Sequence, residues 1–259
     1  MQRKHLGCIA LNEKLTTNTG LLRVAAPDLA ADAWPGQFVQ LRVTESYQPL
    51  LRTPLSIHDC DPAQGMVDLL YAIVGESTRL LSQLQPGAEL DMLGPLGNGF
   101  DLNACPERTA WLVAGGIGIA PLLYLARQLA AQQRPLHLFF GARCAEALVR
   151  LEAFQQLGAA LHLATDDGSC GQRGTVLDLL ESAPQPSPPT EIFACGPQPM
   201  LRALQSFARE RQIAAQLSLE AYMACGVGAC LGCAVPRPEG GYLHVCSDGP
   251  VFRIGEVLI

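Results

Sequence analysis

The sequence predicts a multidomain β plus α/β chain: an N-terminal antiparallel β-barrel, a doubly wound parallel-sheet domain, and a small C-terminal subdomain. Three observations lead there. The first hundred or so residues carry short β-type runs broken by turn residues. From Thr109 the runs alternate between strand and helix patterns. The C-terminal stretch gathers four cysteines in a glycine-broken loop and its sequel.

In order along the chain, LLRVAAP, PGQFVQLRV, LRTPLSIHD, MVDLLYAIVG and AELDMLGPLG read as strands of a barrel or sandwich. WLVAGG then reads as a strand entering a glycine turn, APLLYLARQLAAQQ as a helix and PLHLFFGAR as a strand. EALVRLEAFQQLG, TVLDLLESA and QPMLRALQSFARERQ read as helices, with LHLATDD and EIFACGP as the strands between them. Strands alternating with helices of this length make a parallel doubly wound sheet. The segment PQPSPPT before Glu191 reads as a loop inside that domain. The expected units are 1–103, 104–216 and 217–259.

Cys225, Cys230, Cys233 and Cys246 stand in MACGVGACLGCAVPRPEGGYLHVCSDG. The spacing C-x₄-C-x₂-C with a distant fourth cysteine suits a [2Fe–2S] cluster, which needs four thiolates around two irons. Gly226, Gly228 and Gly232 free the backbone to wrap closely around an inorganic core and aim amides at its sulfides. Structural zinc would usually set its ligands as two short pairs far apart. Disulfides between thiols of one tight loop would be strained. The other six cysteines, Cys8, Cys60, Cys105, Cys144, Cys170 and Cys195, are scattered, and their default is buried packing.

A formal net charge of −6 with no basic run argues against a nucleic-acid partner. MQRKHLGCIALNEKL lacks the long apolar core and small-residue cleavage site of a signal peptide. Thr109–Ala126 is uncharged and almost long enough to span a membrane, but Gly115, Gly116, Gly118 and Pro121 cut it in the middle, so it reads as strand, turn and helix start. The expectation is a cytoplasmic protein with no membrane partner.

Parallel sheets bind ligands at the carboxyl ends of their strands. VAGGIGIAPLL places Gly115, Gly116 and Gly118 at one such end, where a pyrophosphate can approach a helix start, although simple tight packing uses the same pattern. ACGPQPML places Cys195, Gly196 and Pro197 at another, with room for a flat ring. In the barrel half, Arg52, Thr53 and Ser56 cluster, as do Gly75, Ser77, Thr78 and Arg79. Hydroxyls, helix-start amides and an arginine suit a diphosphate. An ordinary N-capped turn explains the second cluster equally well.

Read in order, RTPLS, GEST, GPLGNGF, GGIGIAPL and CGPQPM resemble the ferredoxin–NADP⁺ reductase superfamily, which pairs an FAD-binding barrel with a nicotinamide-binding sheet. SLEAYMACGVGACLGCAV, HVCSDGPVF and TDDGSCGQRGTV narrow the resemblance to the electron-transfer subunits of NAD-dependent dihydroorotate dehydrogenase, B type. This resemblance implies that Cys225, Cys230, Cys233 and Cys246 ligate a [2Fe–2S] cluster. Arg52, Thr53, Pro54, Leu55 and Ser56 would lie along the FAD, with Leu70, Tyr71 and Ala72 beside it. Gly75, Ser77 and Thr78 would meet its phosphates. Gly115, Gly116, Gly118, Cys195, Gly196 and Pro197 would form the nicotinamide site.

The family's flavin motif sets an arginine three places before its serine. Here that place is Thr53, with Arg52 one earlier, and neighbours on a strand face opposite ways. Either Thr53 meets the diphosphate alone or a bulge lets Arg52 reach it. The usual GT dipeptide is Ser77-Thr78, and Ala72 stands where a basic residue is expected. Arg143 could meet a 2′-phosphate and Glu146 a ribose hydroxyl, leaving NAD against NADP open from these residues.

The resemblance further implies a relay from the FMN of a dihydroorotate dehydrogenase catalytic subunit through the cluster and FAD to NAD⁺, within pyrimidine biosynthesis. It implies a heterotetramer of two subunits of each kind, and no acid or base catalyst in this chain. The alternative is a related FAD and [2Fe–2S] reductase serving another redox partner.

Overall fold

The structure, a computed structural model, describes residues 3–183 and 190–259. Most of the PQPSPPT segment therefore lies outside the described residues. Among those described, six strands close a barrel: β1 (Arg3–Thr16), β2 (Thr19–Ala25), β3 (Phe38–Arg42), β4 (Thr53–Asp61), β5 (Met66–Ala72) and β6 (Glu89–Leu96), in the order β1-β2-β5-β4-β3-β6. Every neighbouring pair is antiparallel. Two short helices, α1 (Pro27–Asp32) and α2 (Glu76–Leu81), fill the connections. β6 shows why the pattern folds this way: ELDMLGPL alternates, and Leu90, Met92, Gly94 and Leu96 are its buried positions.

β1 is absent from the sequence expectation. Its long run RKHLGCIALNEKLT has only two buried positions, Gly7 and Ile9, and a register shift between Ile9 and Leu11 breaks its alternation. Pairing with β2 and β6 holds it in place.

The second sheet contains β7 (Thr109–Gly115), β8 (Leu136–Ala142), β9 (Ala160–Thr165), β10 (Gln172–Arg173), β11 (Thr190–Cys195) and β12 (Ala214–Ser218). Its helices are α3 (Leu122–Ala131), α4 (Leu151–Gln156), α5 (Val176–Ser182) and α6 (Gln198–Glu210). The strand order is β10-β9-β8-β7-β11-β12, parallel throughout. β7 and β11 are buried at every position because helices cover both faces, so they read as unbroken apolar runs. α6 buries Leu201, Leu204, Phe207 and Ala208, a helical stripe against that sheet.

One helix is shorter than its sequence pattern. EALVRLEAFQQLG becomes a 3₁₀ turn over Ala145–Ala147 and then α4, because Arg150 at the junction is left-handed, with φ 66°. The uncharged stretch from Thr109 folds as strand, 3₁₀ turn and helix. Among the described residues no helix is long and apolar enough to cross a membrane.

The C-terminal stretch adds a hairpin of β13 (Ala234–Pro236) and β14 (Tyr242–His244), then β15 (Val251–Arg253), which pairs antiparallel with β12 and extends the parallel sheet. Cys233, Val245, Cys246, Phe252 and Val257 join the core that α5 and α6 form on the same face. The cysteine loop is thus anchored on both sides by the nucleotide domain.

Contacts between barrel and sheet are specific. The Tyr124 hydroxyl donates to the Ala33 carbonyl at 3.2 Å. Arg127 pairs with Asp59 through two nitrogens. Asn98, in GPLGNGF, donates from Nδ2 to the carbonyls of Ser247 and Asp248, both at 3.0 Å, so the barrel's last turn braces the CSDGP turn beside Cys246.

Candidate functional site

In this sheet β8 lies on one side of β7 and β11 on the other, so the crevice opens between the ends of β7 and β11. The ends are Gly115 and Cys195, paired in register through Ala114. Gly118 lies against the Cys195-Gly196 backbone, where any Cβ would overlap the Cys195 carbonyl. Gly116 serves differently: its φ is 54° and a Cβ there would meet nothing, so it supplies a left-handed turn.

Two adjoining cavities occupy the region between barrel and sheet. The first, about 400 Å³, is walled by Thr53, Pro54, Leu55 and Ser56 of β4 and by Leu70, Tyr71 and Ala72 of β5. Ile117 and Ala120 close it from the glycine turn, and Glu220, Ala221 and Met223 from the start of the cysteine loop. The second, about 830 Å³, is lined by Gly115, Gly116, Gly118, Gly196 and Pro197, and reaches Arg143, Asp166 and Thr175. Ala72, Val74, Ile117 and Glu220 border both.

Most of the expected positions come together here, with informative exceptions. Arg52 turns away: it pairs with Asp91 at 2.8 Å and donates to the Gln40 and Asp91 carbonyls, while Thr53 faces the cavity. β4 pairs in register with β3 through Thr53 and Leu41, so the Thr53 and Arg52 side chains face opposite ways. Thr78 borders the first cavity, yet its hydroxyl accepts from the amides of Val74 and Gly75 at 3.0 and 3.2 Å, capping α2. Gly75 and Ser77 line neither cavity. Glu146 bonds Thr17 across the domain boundary and is absent from the second cavity's wall, which Arg143 and Asp166 supply instead.

Cys195 is buried beneath this crevice, and burial holds its thiol well above the ordinary range, so it stays protonated. Cys60 is also buried, whereas Cys8 is exposed and Cys105, Cys144 and Cys170 are half-buried, so the default of buried packing holds for only two of these six thiols. Glu220 is a site residue that sequence reasoning passed over. Glu220 is exposed at the cavity rim, and partial desolvation by the neighbouring walls raises its carboxyl. The acid in SLEAYMAC, immediately before the cysteine loop, was the available signal.

The cysteine loop fits a two-iron cluster. Cys225 interacts with Cys230, and Cys233 with Cys246. Among the described residues no three ligating side chains meet at one point, and the Cys225 charge also reaches Cys246. Backbone amides point at sulfur: Val227 and Cys230 donate to Cys225 Sγ at 3.4 and 3.3 Å, Gly228 to Cys246 Sγ at 3.1 Å, and Cys246 to Cys233 Sγ at 3.4 Å. Such donors favour thiolate, and the Val227 amide leads the group that lowers Cys225 to about 6. Cys246, which burial and the adjacent Cys233 thiol push up to about 11, needs a cation to release its proton. Gly226, Gly228 and Leu231 all have positive φ, at 70°, 77° and 60°, which folds the loop tightly enough to aim these amides inward.

Comparison with known proteins agrees with this geometry. The iron–sulfur cluster binding domain of dihydroorotate dehydrogenase B matches residues 220–258, and the oxidoreductase NAD-binding domain matches residues 112–206. The chain is 47% identical over 228 residues to the dihydroorotate dehydrogenase B (NAD(+)) electron transfer subunit of Geobacillus kaustophilus (strain HTA426), covering 87% of each. The subunit of the same name from Desulforamulus reducens (strain ATCC BAA-1160 / DSM 100696 / MI-1) is 39% identical over 244 residues, covering 93% of each. Among solved structures, one of an NADH-dependent reduced ferredoxin-NADP oxidoreductase superposes with a TM-score of 0.85 at 29% identity, covering 97% of this chain and 89% of that one. The ferredoxin reductase in carbazole 1,9a-dioxygenase shares the fold, with a TM-score of 0.70 at 23% identity over 82% of this chain and 67% of its own. The chain belongs to the family of dihydroorotate dehydrogenase B (NAD(+)) electron transfer subunits.

Proposed function

We propose that this chain passes electrons from the FMN of a dihydroorotate dehydrogenase catalytic subunit, through a [2Fe–2S] cluster and FAD, to NAD⁺. The observation that carries the reading is the sharing of walls. Glu220 borders both cavities, Met223 walls the first, and Cys225 follows two residues later. The three centres would lie in sequence without intervening domain motion. When bound, the flavin supplies the conversion between two-electron nicotinamide chemistry and single electrons.

The protein's part is binding, orientation and exclusion of water. In this reading Thr53 and Ser56 hydrogen-bond the flavin from β4, and Pro54 and Leu55 give it an apolar floor. Tyr71 is a fixed wall, since its hydroxyl is committed to Asn12 Oδ1 at 2.9 Å. Gly115, Gly116 and Gly118 admit the pyrophosphate of the nicotinamide nucleotide, and Gly196 and Pro197 leave space for its ring. Glu220 places a carboxyl at the rim between the two cavities. Cys225, Cys230, Cys233 and Cys246 hold the cluster. The corresponding units are 1–103 for flavin, 104–216 for nicotinamide and 217–259 for the cluster.

The surface around Cys230 is where the catalytic subunit would dock. Cys230 is exposed, and the adjacent Leu231 is 59% exposed although apolar; Tyr222, at the root of the same loop, is 98% exposed. Electron transfer requires closeness, and exposed apolar side chains around a redox centre suit a protein partner. Two chains of each kind would complete the assembly. Mixing this chain with the catalytic subunit and following NAD⁺ reduction by dihydroorotate tests the route, and the mass of the purified complex tests the stoichiometry. Dihydroorotate-dependent NADH formation by this chain alone would contradict the need for a partner.

A further inference from the structure

Gln40 lies on β3 between two side chains of the barrel interior, Val39 and Leu41, and so faces outward with Phe38, which walls the flavin cavity. It is nevertheless completely buried, because the cysteine loop covers it. Neither Nε2 nor Oε1 has a hydrogen-bond partner. The nearest group on the loop is Gly226, the residue after Cys225: a Cβ there would sit 2.6 Å from Gln40 Nε2 and 2.8 Å from its Cγ. Gly226 is therefore glycine twice over, for its φ of 70° and for the amide beside it.

A buried carboxamide without partners forfeits its hydration with nothing in return, and Leu or Met would fill the same space without that cost. Arg52 and Pro54 do not satisfy it, since Arg52 donates to the Gln40 backbone carbonyl and Pro54 is only its register partner. The chemistry next to it is a loop of thiolate ligands whose other donors are all backbone amides.

We infer that Gln40 donates an N–H from its side-chain amide to a sulfide of the iron–sulfur cluster, and thereby tunes the cluster's potential from the flavin-binding barrel. This inference rests on the proposed assignment of the cluster. Hydrogen bonds to sulfur favour the reduced, more negative cluster and so raise its potential. Gln40 pairs in register with Pro54 of the flavin floor, so one residue links the setting of the cluster to the position of the flavin wall.

The test uses the full chain carrying its flavin and cluster, with glutamine labelled by ¹⁵N at the side-chain amide. Pulsed EPR of the chemically reduced cluster should show a ¹⁵N coupling that disappears in Gln40→Leu. The cluster's midpoint potential in that variant should fall by about 59 mV, the equivalent of a tenfold loss in its reduction equilibrium. Absence of any glutamine ¹⁵N coupling in the unsubstituted chain would overturn the inference, whether or not Gln40→Leu folds. A shift in the flavin potential with the cluster's unchanged would also overturn it, since the amide would then serve the flavin. Iron analysis separates these failures from that of the cluster assignment: a chain without iron would overturn the assignment and the inference together.

Discussion

His58 Nδ1 donates to the carbonyl of Ala120 at 2.8 Å, joining the flavin-side strand β4 to the glycine turn of the nucleotide domain. Its Nε2 accepts from Arg150 Nε at 3.1 Å, which fixes the tautomer; Arg150 itself has a left-handed backbone before α4. Ala120 walls the flavin cavity, so this buried contact sets the separation of the two domains across that cavity.

A pH dependence of stability follows. Burial, then the Arg150 charge, hold His58 down at about 4, although the Ala120 carbonyl and the nearby Asp59 and Asp68 act the other way. The unfolded chain takes up this proton near the ordinary histidine value and the folded one does not. The contribution is therefore fully present above about pH 6.5 and is lost as pH falls toward 4, by roughly 3 kcal/mol. His58→Gln should be less stable at pH 7 and should lose that part of the slope; urea midpoints between pH 4 and 7 measure it. An unchanged slope would contradict the account.

The flavin motif makes a paired expectation. Thr53→Val should weaken FAD binding about fivefold, the factor of a ~1 kcal/mol hydrogen bond. Arg52→Ala should leave FAD affinity within about twofold while lowering stability, because Arg52 serves Asp91 and two backbone carbonyls. Fluorescence titration of the flavin-free chain reads both, and the reverse order of effects would restore the bulged register.

Much of this architecture was legible in the sequence because its signals are local. Unbroken apolar runs such as WLVAGG, the change from strand spacing to strand–helix alternation, and the spacing of Cys225, Cys230 and Cys233 depend on neighbours within a few residues. What escaped depends on distant partners. β1 has few buried positions and owes its extended form to β2 and β6, and β15 is a three-residue strand specified by the edge of β12. The direction of Arg52 depends on Asp91, and the burial of Gln40 on a loop far along the chain. Thr78 shows the opposite case, a hydroxyl engaged in a local cap at a place where the same residues suit a phosphate.

Gly118→Ala should separate nicotinamide chemistry from the rest. Its Cβ would overlap the Cys195 carbonyl, and backbone cannot yield as a side chain does. The crevice should open and flavin reduction by NADH slow at least tenfold, with flavin and iron contents preserved. Gly116→Ala meets no atoms and should cost only about 1 kcal/mol of stability for its left-handed turn. Stopped-flow reduction distinguishes the two.

Each cluster ligand should be individually required. Cys230→Ser should remove the iron–sulfur absorption and most of the iron while leaving the flavin bands, since Cys230 is exposed and lines neither cavity. Iron assay and visible absorption check this, and an unaltered spectrum would refute the ligand set.

The most direct measurement is the visible spectrum of the anaerobically purified chain before and after NADH. The account expects flavin bands with an iron–sulfur shoulder, both bleaching on addition, because the two cavities and the cysteine loop form one connected path. A colourless protein, or flavin bands indifferent to NADH, would contradict it.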